Sequence, residues 1–114
     1  MKRYCLTLDL KNDPQLIKEY EQYHENVWPE IKKSILDSGI LSMEIYRFQN
    51  RLCMIIETND DFSFERKAEM DRQNKKVQEW ETTMLKFQQL IPGTEASAKW
   101  VEMKKIFSLS STNL

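Results

Sequence analysis

Between Tyr4 and Ile45 the apolar residues change their spacing twice, and nothing else in the chain restricts its fold so strongly. Tyr4, Leu6, Leu8 and Leu10 recur at every second position, with Cys5, Thr7 and Asp9 between them. That is the period of a strand buried on one face, and it leaves Asp9 as a polar residue near the strand end. Leu16, Tyr20, His24, Val27, Ile31 and Ile35 then recur at steps of three and four, the stripe of an amphipathic helix. Asp13 reads as its N-cap and Pro14 as its first helical residue. Pro29 lacks a backbone donor, which predicts a kink or a restart near Trp28, and Gly39 after Asp37-Ser38 supplies the stop. Leu41, Met43 and Ile45 resume the two-residue period opposite Ser42, Glu44 and Tyr46, giving a second strand from Ile40 to Phe48.

The remainder repeats the scheme. Gln49-Asn50 is short enough for a tight hairpin, and asparagine tolerates the left-handed backbone such turns use. Leu52 to Thr58 is the returning strand. Asp60-Asp61 predict a cap for a helical region from Phe62, with a restart at Asn74, after which Val77, Trp80, Met84, Phe87 and Ile91 recur at three and four. Pro92-Gly93 ends that helix, Trp100 to Leu109 reads as a last strand, and residues 110–114 as a frayed polar tail. The order β-α-β-β-α-β describes one α+β domain over residues 1–109, of ferredoxin-like type, with helices on one face of an antiparallel sheet. The opposite face then needs a cover, from a second subunit or a ligand.

Charge narrows the partners. Seventeen basic and 18 acidic side chains nearly cancel, so the electrostatic footprint of a nucleic-acid-binding protein is missing. No apolar run approaches the roughly 20 residues of a membrane span, and the start passes straight into alternating residues without an apolar leader core. A cytoplasmic protein is expected. Cys5 and Cys53 each fall inside a strand, far apart in sequence and without metal-ligand spacing, so they read as small apolar packers and no metal is expected.

Among the side chains that could do chemistry, the one histidine stands out. In Tyr20-x-x-x-His24-x-x-x-Trp28-Pro29 the spacing of four puts an imidazole and two aromatics along one helical face. Imidazole is the side chain whose ordinary pKa lies near neutrality. Two readings fit this stripe: a histidine packed into an aromatic core, and an acid/base group beside aromatic rings of the kind that face sugars.

The run Tyr20-x-x-x-His24-x-x-x-Trp28-Pro29-Glu30, together with Tyr46 and the Gln78-Glu79-Trp80 helix, resembles the L-rhamnose mutarotase family from the first strand through Glu102–Phe107. The resemblance implies a dimeric α+β-barrel enzyme, a homodimer without cofactor, that interconverts the α and β anomers of a 6-deoxy-L-hexose. It implies His24 as the proton donor, Tyr20 as a sugar-binding tyrosine and Trp80 as the first of a substrate-contacting tryptophan pair. The chain departs from the family pattern in two places. Met43 stands where the family has a second substrate-binding tyrosine, and Glu81 replaces the second tryptophan. A hydroxyl donor is lost and a carboxylate gained, which points from L-rhamnose toward a stereoisomer such as L-fucose. Glu81 becomes a candidate partner for a sugar hydroxyl, Met43 an adaptable apolar wall, and Trp28 and Tyr46 further candidates, although Tyr46 lies three positions from Met43 and so on the other sheet face.

Mutarotation opens the ring by protonating its oxygen while the anomeric hydroxyl loses a proton, and a group with pKa near the working pH serves both transfers. His24 as general acid at the ring oxygen would give a rate that falls as pH rises through its pKa. The competing reading is a non-catalytic or oxygenase-type dimeric ferredoxin-like module for a small ligand, which the fold alone does not separate from an enzyme.

Overall fold

A computed structural model describes residues 1–93 and 99–109. Its elements run β1 (Lys2–Leu10), α1 (Pro14–Glu25), α2 (Pro29–Asp37), β2 (Ile40–Phe48), β3 (Arg51–Thr58), α3 (Phe64–Gln73), α4 (Lys75–Leu85), β4 (Gln88–Gln89) and β5 (Val101–Glu102). The sheet order is β2-β3-β1-β4, all pairings are antiparallel, and β5 also pairs with β1. β4 and β5 share one edge of β1, at Asp9–Leu10 and Leu6–Thr7 respectively.

Each predicted helical region is two helices, broken where the sequence marks it. The Asp13 carboxylate accepts from the backbone N–H groups of Gln15 (2.9 Å) and Leu16 (3.2 Å), capping α1. Trp28, held extended ahead of a proline, interrupts the stripe, and Pro29 opens α2. Asn74 both follows α3 and caps α4 through its side chain. Gly39 ends α2 with φ +100°, a backbone conformation costly for any residue with a Cβ.

Several boundaries differ from the sequence expectation. Ser63, not Asp60 or Asp61, caps α3, which begins at Phe64; Asp60 instead pairs with the N-terminal ammonium of Met1. α4 stops at Leu85, so Phe87 and Ile91 are not on it, and Gln88–Gln89 join the sheet. Pairing with β1 supplies what two more helical turns would have given these residues, and Phe87 becomes a fully buried core ring. The last strand is Val101–Glu102 rather than Trp100 to Leu109, and the expected frayed tail, 110–114, lies outside the described residues. In the hairpin Gln49, not Asn50, takes the positive φ; the Asn50 amide donates to Leu10 O at 3.0 Å, tying the turn to β1.

One irregularity re-aims β2. Ile40 faces Thr58 and Ser42 faces Glu57, so Leu41 is the extra residue of a bulge. Ile40 is consequently 2% exposed and Leu41 50%, which removes Leu41 from the inner face it was expected to share with Met43 and Ile45.

The inner face of the sheet packs against the helices through two clusters. One gathers Leu10, Leu52, Tyr20, Met84 and Phe87, the other Leu6, Ile40, Ile56 and Phe62. Asp9 is buried in an ion pair with Arg51, Nε to Oδ1 at 2.8 Å and Nη2 to Oδ2 at 3.0 Å. No helix among the described residues is long and apolar enough to cross a membrane.

Candidate active site

Between those two clusters, under the middle of the sheet, lies a hollow of about 570 Å³, within the roughly 300–1,000 Å³ typical of small-molecule sites. Its sheet side is apolar, made by Leu6, Met43, Ile45, Met54 and Ile56. Across from it stand Tyr20 and His24 from α1 and Trp80 and Glu81 from α4. Charged side chains of α3, Lys67, Asp71 and Arg72, also line it, together with Lys99.

His24 occupies the last turn of α1 because Trp28 and Pro29 forbid the helix to continue. Its Nδ1 lies 2.8 Å from the backbone oxygen of Tyr20. A carbonyl can only accept, so Nδ1 carries the proton and Nε2 keeps the lone pair in the neutral ring. Burial pushes the pKa of His24 below its ordinary value, and the hydrogen bond to Tyr20 opposes this only in part. The imidazole is therefore mostly neutral near pH 7, and its Nε2 is an acceptor. Tyr20 lies against one side of the ring (centroids 4.3 Å, 32° between planes) and Trp80 meets it edge-on at 5.6 Å. The imidazole is thus held on three sides.

The Tyr20 phenol is almost completely buried, which raises its pKa well above the ordinary tyrosine value; a hydrogen bond from the Gln88 side chain pulls the other way. Tyr20 keeps its proton at any working pH and can only offer it as a hydrogen bond. Lys67 and Asp71 form an ion pair at 2.6 Å, and the Gln78 amide donates to Asp71 O at 2.8 Å, fixing α3 against α4 at the rim. Glu81 stands there too, with the Gln78 amide 3.5 Å from its Oε2.

Of the residues singled out from sequence, Tyr20, His24, Met43, Trp80 and Glu81 come together around the hollow. Two do not. Trp28 sits behind Trp80, edge to face at 5.1 Å, bordering a separate shallow depression, so it can brace Trp80 but does not line the hollow. Tyr46 pairs with Cys53 on the outer face of the sheet, 55% exposed; the odd three-residue offset from Met43 put it there. Gln88, Asp71, Lys67 and Trp100 line the hollow and were not anticipated. Gln88 was hidden because the apolar period through Ile91 suggested helix. Among the described residues no three His, Cys, Asp or Glu side chains are grouped so as to hold a metal ion.

Comparison with known proteins bears on this arrangement. A sequence profile of the family described as L-rhamnose mutarotase matches residues 3–109. The L-fucose mutarotase of Xanthomonas campestris pv. campestris is 39% identical over 112 residues, spanning 96% of this chain and 90% of that protein. Among solved structures, the L-rhamnose mutarotase of Formosa agariphila superposes with a TM-score of 0.70 at 19% identity, covering 96% of this chain and 99% of that one. A dimeric ferredoxin-like protein from an uncultured marine organism superposes with a TM-score of 0.54 at 15% identity, covering 95% and 91%. At such low identity these two structures speak for the ferredoxin-like fold alone.

Proposed function

The chain belongs to the L-rhamnose mutarotase family, and from that premise we propose that it interconverts the α and β anomers of a free 6-deoxy-L-hexose, with L-fucose its preferred sugar and His24 its proton carrier. The observation that carries the reading is the neutral imidazole, fixed through Nδ1 and bordering an aromatic-walled hollow. Nε2 takes the proton of the anomeric hydroxyl as the bond from C1 to the ring oxygen breaks and C1 becomes an aldehyde carbon. The imidazolium so formed returns the proton to the freed ring oxygen, which is attached to the same C1 and so lies close to the anomeric oxygen before the bond breaks. Rotation about C1–C2 and the reverse sequence close the ring on the other face. The proton count is unchanged, and no group beyond one imidazole is required.

The remaining residues bind. Trp80 supports an apolar sugar face, Tyr20 donates to a sugar oxygen, and Glu81 accepts from a hydroxyl near the rim. Met43 gives apolar contact where a tyrosine hydroxyl would favour L-rhamnose, and the similarity to an L-fucose mutarotase agrees with that preference. A second copy of the chain covers the outer sheet face in this reading. The same reading sets the protein in a reducing, cytoplasmic compartment, where the thiols of Cys5 and Cys53, 3.3 Å apart, stay unbridged.

Saturation-transfer NMR on equilibrated L-fucose and L-rhamnose tests the proposal. Exchange of magnetisation between anomers that scales with protein concentration, faster for L-fucose, is the expected result. Exchange at the protein-free rate for both sugars would mean a binding module of the same fold.

A further inference from the structure

Gln88 holds a position that the reaction just described does not use. It lies on the two-residue strand β4, pairs with Leu10, and follows the fully buried Phe87. Backbone pairing on one side and a buried ring beside it fix where its side chain starts. That side chain borders the hollow together with Tyr20, whose phenol it holds back from a still larger rise in pKa. Its amide oxygen, Oε1, is buried and has no hydrogen-bond partner; among the described residues no other side-chain oxygen or nitrogen is buried and unpaired. A buried carbonyl without a donor is costly, and native structures rarely keep one without a use.

The two groups complement each other. Tyr20, which keeps its proton, can present a donor, while Gln88 presents an acceptor through its unpaired Oε1. One chemical group answers both at once: a hydroxyl, which accepts on oxygen and donates through hydrogen. A methyl group satisfies neither, and a carboxylate or a carbonyl satisfies only the donor.

We propose that Gln88 and Tyr20 form a specificity clasp for one ring hydroxyl of the sugar, which accepts from the Tyr20 phenol and donates to Gln88 Oε1. The proposal rests on the reading of the hollow as a 6-deoxyhexose site. The clasped hydroxyl is not the anomeric one, whose proton goes to His24 Nε2. It is therefore the hydroxyl on C2, C3 or C4. A site built around such a pair rejects the analogue that lacks the hydroxyl, since the buried acceptor is then stranded again.

The test is steady-state anomer exchange on L-fucose and on its 2-, 3- and 4-deoxy analogues, for the wild type, Gln88→Met and Gln88→Asn. Methionine keeps the length and removes both polar ends. Asparagine keeps an amide and the fold but withdraws it by one methylene, so it still probes the clasp if the methionine variant is unstable. For L-fucose, KM is expected to rise about tenfold in either variant with a smaller change in kcat, the fold-change of one lost hydrogen bond. One deoxy analogue is expected to be poor with the wild type and no worse with the variants, which identifies the clasped hydroxyl. Variants equal to wild type on L-fucose, or equally impaired on all three analogues, overturn the clasp while leaving the mutarotase reading standing. A wild type without exchange on any of these sugars overturns the mutarotase reading and the clasp with it.

Discussion

His24 Nδ1 donates to the backbone oxygen of Tyr20, one helical turn before it, at 2.8 Å. This bond settles more about the site than the histidine's presence does. It fixes which ring nitrogen holds the proton, sets the plane of the ring against Tyr20, and leaves Nε2 as the nitrogen available for chemistry. The scaffold behind it is local: Asp13 starts the helix, which closes at Glu25 with Asn26 as its C-cap, and Pro29 opens the next one.

Replacing that imidazole therefore removes the proton carrier without disturbing the core. His24→Asn keeps a donor that can reach the Tyr20 carbonyl but offers no basic nitrogen. Anomer exchange by saturation-transfer NMR is expected to fall by about 10²–10⁴-fold, the usual contribution of a positioned acid/base group. The far-ultraviolet circular dichroism spectrum should be unchanged. Exchange within a few-fold of wild type would show that another group carries the proton.

The pH profile separates the two roles a histidine could play. Sequence alone suggested a protonated donor, hence a rate that falls as pH rises. Burial lowers the pKa of His24 from the ordinary 6.5, so above that lowered value the ring is neutral and Nε2 can accept. The rate is accordingly expected to rise with pH through a midpoint below 6.5 and then level off. Stability has the same sign. Between 6.5 and the lowered value the unfolded chain binds a proton that the folded chain does not, so the folded state loses stability as pH falls across that window. Thermal melts of wild type and His24→Asn at pH 5.5 and 7.5 should show this component of the pH dependence in the wild type alone.

How much of this was legible in the sequence follows from which forces set each part. Capping and proline effects act within one turn of chain, so Asp13, Pro29, Gly39 and Asn74 marked real boundaries. The alternation of β1 gave its faces correctly because the strand runs in unbroken register with β3 from Lys2 to Asp9, with no bulge to shift a side chain. Tertiary effects were invisible. The bulge at Leu41 trades one residue of register so that Ile40 can be buried, and nothing in Ile40-Leu41-Ser42 says which of two adjacent apolar residues will turn inward. The site divided along the same line. Tyr20, His24 and Trp80 lie on helical stripes and were readable from their spacing, whereas Glu81 came only from the family resemblance. Gln88 was not readable, because its place depends on pairing between residues 10 and 88, a contact that local pattern does not encode.

Met43 offers the sharpest test of sugar choice. It faces Ile56 across the strands and reaches the hollow from the sheet side, opposite Tyr20 and His24. Met43→Tyr adds a phenol to an otherwise apolar wall, the group the family pattern carries there. The ratio of L-rhamnose to L-fucose exchange is expected to rise about tenfold, the size of one hydrogen bond gained by one sugar and not the other. A substitution that lowers both rates equally would mean that position 43 only fills space.

The outer sheet face carries the prediction about assembly. Register places Tyr46 and Phe48 on β2, Cys53 and Ile55 on β3 and Val101 on β5 on that face. Phe48 is 76% exposed, and Ile106 and Phe107 beyond β5 are exposed as well. Ion pairs between Arg3 and Glu57 and between Asp9 and Arg51 flank this apolar stripe, so it has the apolar centre and polar rim of a subunit interface. Monomers seldom leave a patch of that kind in water. Light scattering after size exclusion is expected to give twice the mass of one chain for the wild type. Tyr46→Lys combined with Phe48→Lys should give the mass of one chain, because burying unpaired ammonium groups at the contact costs about 3–5 kcal/mol each. The thermal midpoint of the wild type should also rise with protein concentration, and that of the double variant should not. The hollow lies on the opposite side of the sheet, so the double variant is expected to keep its anomer exchange wherever it remains folded. A wild type with the mass of one chain at all concentrations would leave the stripe without its second copy and overturn this account of the outer face.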